Sequence, residues 1–174
     1  FSNHVLDATQ KWNLVIHERD QLRGVPERAL DILAAAAAEA GDTAADGSAS
    51  SAAHGPWRLG LDMPRYLPVI THAQDRELRE TLYKAHVSRA STGDLDNAPL
   101  IEEILQLRRE QAVRLGYSNW AELSLASKMA DDVPAVETLL EELRSSAMPV
   151  AQKELTELRA CAANRGAAEA DDLA

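Results

Sequence analysis

The sequence is poor in several kinds of residue, and each shortage excludes a class of protein. Its single cysteine, Cys161, cannot form a disulfide within the chain, which fits a reducing cytoplasm. Aromatic residues make up 4% of the chain while alanine is abundant, a composition that favours helices over sheet. With 18 basic against 28 acidic residues, the net charge is −10 and no basic patch is visible, so we expect no nucleic-acid partner. No apolar run approaches the length of a membrane span, so we expect no membrane partner.

The 174 residues are enough for one domain with a hydrophobic core. Apolar residues recur at helical spacing along most of the chain, which predicts a mostly all-α fold: a multi-helix bundle with long helices and helical hairpins. The first helix is predicted over residues 2–23, where Gly24 stops it, and Pro26 opens a second helix that runs into alanines. Asp75 is placed to cap another helix that extends to about Arg89. We treat residues 1–174 as a single helical, non-catalytic part.

One stretch between these helices has no helical pattern. Residues 41–56 are almost entirely glycine, serine, alanine and aspartate with nothing to bury, which predicts a flexible surface loop. Residues 57–61 alternate as a short strand does, and they form the one extended segment that we predict. A lone strand needs a partner for its backbone groups, and the sequence does not identify one. Asp62 and Pro64 then begin a helical turn.

A central helical hairpin is predicted over residues 97–130. Asn97 can cap the first helix, and Gly116 ends it. Ser118 or Asn119 caps the second helix, with Glu122 placed to complete a capping box behind Asn119. Arg108 lies inside the apolar arc of the first helix, so we expect its stem to pack on the core while its head reaches solvent or a carboxylate. The apolar arc consists of Leu100, Ile101, Ile104, Leu105, Leu107, Ala112 and Leu115.

A long helix is predicted over residues 132–165. Asp132 and Pro134 begin it, and Gly166 ends it. Pro149 lies in its interior between good helix formers, which predicts a kink rather than a break. The alanine-rich and acidic residues after Gly166 are expected to fray.

The sequence contains no catalytic constellation, and we assign no catalytic, cofactor-binding or metal-binding residue. No two histidines are spaced i, i+4 as in a helical zinc motif, and the nearest approach, His17 to Gln21, ends in glutamine. His72 and His86 flank one helix, and a structural role is the simpler interpretation for both. Cys161 has no histidine near it in sequence, and no glycine-rich phosphate loop occurs. The histidines of the chain are His4, His17, His54, His72 and His86.

An ordered series of short motifs nevertheless resembles a known family. The series runs through Phe1-Ser2-Asn3, Val5-Leu6-Asp7-Ala8, Leu59-x-Leu61-Asp62-x-Pro64-x-Tyr66-Leu67-Pro68-Val69, Leu78-Arg79-Glu80-x-Leu82-Tyr83-x-Ala85, Arg89-Ala90, Glu102-Glu103-Ile104-Leu105-x-Leu107-Arg108, Leu115-Gly116-Tyr117-x-Asn119-Trp120, Ser124-Leu125-Ala126-x-Lys128-Met129-Ala130, Pro149, Lys153-Glu154-Leu155 and Leu158-Arg159. It resembles the oligopeptidase A branch of the thimet-oligopeptidase family of zinc metallopeptidases. Each motif is weak by itself, but their order covers nearly the whole chain.

The resemblance implies a cytoplasmic parent enzyme that hydrolyses short peptides with a zinc-activated water. In that family an HExxH helix and a further glutamate hold the zinc, and this chain contains neither. We therefore expect a non-catalytic helical portion, inactive and without zinc by itself, whose partner is the remainder of the parent. The absence of an initial methionine at Phe1 fits an excised internal piece. We transfer no catalytic role from the family to Tyr66, Tyr83 or Tyr117. We keep one alternative function: a stand-alone acidic α-helical interaction module with a groove for a partner helix.

Overall fold

The computed structural model describes residues 1–44 and 47–165, and in them the mostly all-α prediction is confirmed. Two short 3₁₀ turns, Arg19–Leu22 and Gly93–Leu95, lie between longer elements. The helices and strands are α1 (Ser2–Lys11), β1 (Asn13–Ile16), α2 (Glu27–Ala40), β2 (Trp57–Gly60), α3 (Met63–His72), α4 (Arg76–Val87), α5 (Ala98–Arg114), α6 (Trp120–Leu125) and α7 (Val133–Asn164). No helix in this described part combines the length and the apolar character that crossing a membrane requires.

The chain divides into two compact units. The first unit spans Phe1–Ile101, and the second begins at Glu102, within α5. The first unit encloses a hydrophobic core around β2, against which α2 and α3 pack. Its largest fully buried side chains are Trp57, Leu22, Leu30, Leu33, Leu59, Leu61, Leu82 and Val69.

The predicted helix over residues 2–23 is wrong beyond Lys11. The chain becomes extended at Trp12, and β1 then pairs antiparallel with β2, with Asn13 opposite Gly60 and Ile16 opposite Trp57. Asn13 is a poor helix former, and the Leu-Val-Ile run that follows suits a strand. This pairing supplies the partner that the extended segment at residues 57–61 requires.

Carboxylate caps begin α3 and α4 as predicted. The backbone N–H of Arg65 donates to Asp62 Oδ1 at 3.4 Å, and that of Leu78 donates to Asp75 Oδ1 at 3.0 Å. The predicted cap at Asn97 is wrong. Its buried side chain instead donates from Nδ2 to the Phe1 carbonyl oxygen at 3.2 Å, which links the two ends of the first unit. The helix start is capped by the preceding aspartate, Asp96.

The second unit contains the predicted helical hairpin from Glu102 onward and the long helix α7. Gly116 ends α5 with a φ of +84°, the left-handed conformation that glycine adopts at low cost. Asn119 Oδ1 accepts from the Glu122 N–H at 3.0 Å, and Glu122 reaches back to the Ser118 N–H at 3.0 Å, so the predicted cap is confirmed. The α7 helix continues through Pro149, and the kink there stays a prediction. Gly166 and the predicted frayed end lie outside the described residues.

Where it is described, the connection over residues 41–56 is tied to the first unit at its start. Arg58 on β2 donates from Nε to Asp42 Oδ2 at 2.7 Å and from Nη2 to Asp42 Oδ1 at 2.8 Å. Isolated bridges join Thr43 to Ala49 and Ser51 to Gly55. The flexibility predicted for this loop remains a prediction.

Candidate functional site

No metal centre can be built from the described residues. Within residues 1–44 and 47–165, no three histidine, cysteine, aspartate or glutamate side chains come close enough to hold a metal ion. His17 lies just after β1 rather than on a helix, so the helical geometry of a zinc motif is missing there as well. The side chains described here do not fit the zinc that the family resemblance implies, and no step of a metal-assisted reaction is assigned to them.

Four side chains, from α1, α3, α4 and the turn after α4, meet in the first unit, and we call Thr9, Tyr66, His86 and Arg89 the His86 cluster. The rings of Tyr66 and His86 are stacked, with centroids 4.4 Å apart. Arg89 donates from Nη1 to Thr9 Oγ1 at 3.0 Å and from Nε to the His86 carbonyl oxygen at 2.8 Å. The cluster therefore connects α1, α3 and α4.

The environment of the cluster disfavours charge on its two rings. Burial lowers the pKa of the His86 imidazole, and the positive charge of Arg89 lowers it further. Burial likewise raises the pKa of the Tyr66 phenol, an effect that Arg89 partly opposes. The buried Nε2 atom of His86 has no hydrogen-bond partner among the described residues. The imidazole is therefore held in its neutral form near neutral pH.

A cavity of about 430 Å³ lies beside this cluster. It is lined by residues of α1 and α4 and of the segment that follows α4, and it contains cations, an anion and hydroxyl groups. Lys11, Arg89 and Asp94 are its charged residues. This mixed lining selects no class of ligand, so we assign the cavity no function.

The second unit exposes most of its apolar side chains. From Glu102 to Arg165, Ala112 is the one residue that is fully buried. We use the term second-unit apolar surface for the leucines and valines that are more than half exposed on α5 and α7: Leu105, Leu107, Val113, Leu139, Leu140, Leu143, Val150 and Leu158. Exposed apolar surface on this scale is typical of a face that another polypeptide covers.

Arg108 occupies a different environment from the one that the pattern indicated. Its side chain is exposed, and Ala112 is the one buried residue of α5 within a turn of it. Its guanidinium carbon lies 5.2 Å from the centre of the Trp120 ring, in reach of a cation–π interaction. Arg108 thus links α5 to the start of α6.

Comparison with known proteins identifies the family. Residues 69–173 match the sequence pattern of peptidase family M3. This chain belongs to peptidase family M3. The match covers more than half of the chain and confirms the resemblance to oligopeptidases that the motifs indicated.

Individual relatives match along nearly the whole chain. A probable cytosolic oligopeptidase A from Arabidopsis thaliana is 47% identical over 173 residues, which are 99% of this chain and 24% of the relative. Oligopeptidase A from Salmonella typhimurium is 43% identical over 167 residues, or 93% of this chain and 23% of the relative. Dipeptidyl carboxypeptidase from Escherichia coli is 27% identical over 92% of this chain and 22% of its own length. The chain thus spans less than a quarter of these relatives.

The sequence indicates Tyr66 and His86 only as single residues, and it gives no signal for Thr9. The spacing of His86 and Arg89, i, i+3, is the one available signal, since a helix that continued to Arg89 would place both on one face. In the structure α4 ends at Val87, and Arg89 lies in the turn that follows. The contributions of α1 and α3 depend on tertiary packing that the local pattern does not reveal.

Proposed function

We propose that this chain is the non-catalytic helical portion of a zinc metallo-oligopeptidase whose full-length form hydrolyses short peptides with zinc-activated water. The observation that carries the proposal is 42–47% identity to several proteins named oligopeptidase A over more than nine-tenths of the chain. Because the chain spans less than a quarter of those relatives, the proposal assigns the zinc ligands to the rest of the parent. Residues of this chain would act as scaffold.

The remainder of the parent peptidase is the proposed partner, and the second-unit apolar surface is where it would dock. Leu143 and Leu158 on α7 are each more than half exposed, so covering them would release apolar area from water. We propose a cytoplasmic location, supported by the single cysteine and by a relative named as cytosolic. Another relative of similar identity is named as organellar, so similarity by itself does not choose the compartment.

The test begins with the gene. We expect the reading frame that contains this chain to encode, downstream, an HExxH motif followed by a further glutamate ligand. A stop codon soon after the codon for Ala174 would contradict the proposal and favour a stand-alone acidic helical interaction module.

A peptidase assay then separates scaffold from catalyst. The purified 174-residue chain and the product of the complete reading frame are each given a quenched fluorescent short peptide, with zinc and with a chelator. We expect cleavage by the complete product alone, abolished by the chelator. Zinc-dependent cleavage by the 174-residue chain, at a rate comparable to that of the complete product, would overturn the assignment of a non-catalytic role.

A further inference from the structure

One charged side chain contributes to the attachment of α1 to the rest of the first unit. Arg89 Nη1, in the turn after α4, donates to Thr9 Oγ1 on α1, and Thr9 Oγ1 in turn donates to the Val5 carbonyl oxygen at 2.7 Å. Arg89 is itself held by its second hydrogen bond, from Nε to the carbonyl oxygen of His86. The position of the guanidinium is therefore set by the same residue whose imidazole stacks on Tyr66.

Protonation of His86 would change this arrangement in two ways. The imidazolium would stand near the Arg89 guanidinium, whose positive charge already acts on His86, and like charges repel. Protonation also adds an N–H donor to an imidazole whose Nε2 is buried and unpartnered among the described residues, and an unpaired buried donor is costly.

The groups that surround His86 decide whether another residue could offset the new charge. From α3, the facing group is the Tyr66 ring, which attracts a cation through its π face but carries no charge at neutral pH. From α1, the group that reaches Arg89 is the neutral hydroxyl of Thr9. On α4 itself, Tyr83 interacts with Tyr66, and Arg89 in the turn after α4 is cationic. In the adjoining cavity, the Lys11 cation opposes the Asp94 carboxylate, so no net negative charge accumulates there.

We propose that His86 makes the attachment of α1 pH-sensitive, because its protonation places a second positive charge beside Arg89 and weakens the Arg89–Thr9 hydrogen bond. The lowered pKa of His86 agrees with this geometry, since it means that folding favours the neutral imidazole. The first unit then binds fewer protons at this position when folded than when unfolded. The stabilisation is complete above the ordinary histidine pKa of about 6.5 and is lost as the pH falls below it.

Hydrogen exchange on α1, measured by mass spectrometry in the complete 174-residue chain, tests the proposal. Protection factors, corrected for intrinsic exchange, are compared at about pH 7.5 and about pH 5.5, on either side of the ordinary histidine value. We expect the protection of α1 to fall several-fold at the lower pH, and more steeply than that of α2. Equal protection of α1 at the two pH values would overturn the proposal, as would equal losses in α1 and α2.

Variants identify the residue responsible. His86→Phe keeps an aromatic ring against Tyr66 but cannot be protonated, so the loss of α1 protection at low pH should disappear. His54→Phe makes the same change at an exposed position and should retain the response of the unmodified chain. If His86→Phe does not fold, His86→Gln provides the neutral comparison. A full response in a folded variant that lacks His86 would overturn the proposal.

Thr9→Val tests the hydrogen bond independently of the histidine. Valine is close to threonine in shape but cannot accept the hydrogen bond from Arg89. We expect α1 in this variant to show, at both pH values, the low protection that the unmodified chain shows in acid. A pH response as large as that of the unmodified chain would mean that the Arg89–Thr9 bond does not transmit the effect.

Discussion

The two units of this chain use apolar residues in opposite ways. In the first unit, strand β2 and helices α2, α3 and α4 bury leucine, valine and tryptophan side chains in one continuous core. In the second unit, α5 and α7 also carry apolar residues along their length, yet their leucines remain exposed and Ala112 alone is fully buried in the part of the unit that the structure describes. An amphipathic pattern therefore predicts a helix, whereas burial requires a second surface, which the described residues supply in the first unit only.

The largest expected effect comes from removing a core leucine in the first unit. Leu82 on α4 is fully buried, and Leu82→Ala should lower the free energy of unfolding by about 2–5 kcal/mol through lost burial and the cavity left behind. Leu143→Ala on α7 removes the same atoms from a side chain that is 58% exposed, and should change the free energy of unfolding by about 0.5 kcal/mol or less. Urea unfolding followed by far-ultraviolet circular dichroism measures both.

This pair of leucines can also break the comparison. If Leu143→Ala destabilised the 174-residue chain as much as Leu82→Ala does, the second unit would possess a core of its own. In the complete parent, where we propose that the rest of the polypeptide covers this surface, Leu143→Ala should become considerably more destabilising. An equally small effect there would contradict the proposed docking surface.

A smaller effect is expected where the backbone of the first unit passes close to α3. Gly24 adopts a φ of +92°, and a methyl group added there would collide with the carbonyl oxygen of His72. Gly24→Ala should therefore destabilise the first unit by more than about 1 kcal/mol, since it combines backbone strain with a steric clash.

Gly41→Ala is the matched control for this substitution. Gly41 at the end of α2 has a similar φ of +80°, but a methyl group there would meet no atom within 4 Å. Thermal unfolding of both variants separates the steric cost from the conformational cost that they share. Equal losses of stability would mean that the close approach of Gly24 to His72 contributes nothing to the packing of the first unit.

Whether a feature could be predicted from the sequence depends on how far apart in the chain the residues that form it lie. The caps at Asp62, Asp75 and Asn119 were predictable because a side chain and an N–H three residues away form them. Strand β1 was missed because its partner lies more than forty residues later, with Asn13 opposite Gly60.

The candidate site shows the same limit. His86 and Arg89 lie three residues apart in sequence, but the stacking on Tyr66 and the bond to Thr9 come from two other helices. Asn97 was assigned to the wrong role for a related reason: its amide bonds the carbonyl of Phe1, at the far end of the unit in sequence. Likewise, the sequence indicates the apolar residues of α5 and α7, but nothing in the described part of the chain determines what covers them.

The smallest of these effects concerns the ion pair that fixes the start of the loop after α2. The bidentate hydrogen bond from Arg58 lowers the pKa of the Asp42 carboxyl below its usual value. A carboxyl with a lowered pKa in the folded state stabilises the fold above its unfolded-state pKa of about 3.9, and this contribution is lost as the pH falls through the folded-state pKa.

Asp42→Asn should therefore weaken the acid-induced loss of stability of the first unit. Asp20→Asn removes a carboxylate from a highly exposed pair with Arg23 and should leave the acid response unchanged. Unfolding midpoints between about pH 2 and pH 6 compare the two variants. An identical acid response in Asp42→Asn and the unmodified chain would mean that this ion pair, although bidentate, does not stabilise the first unit.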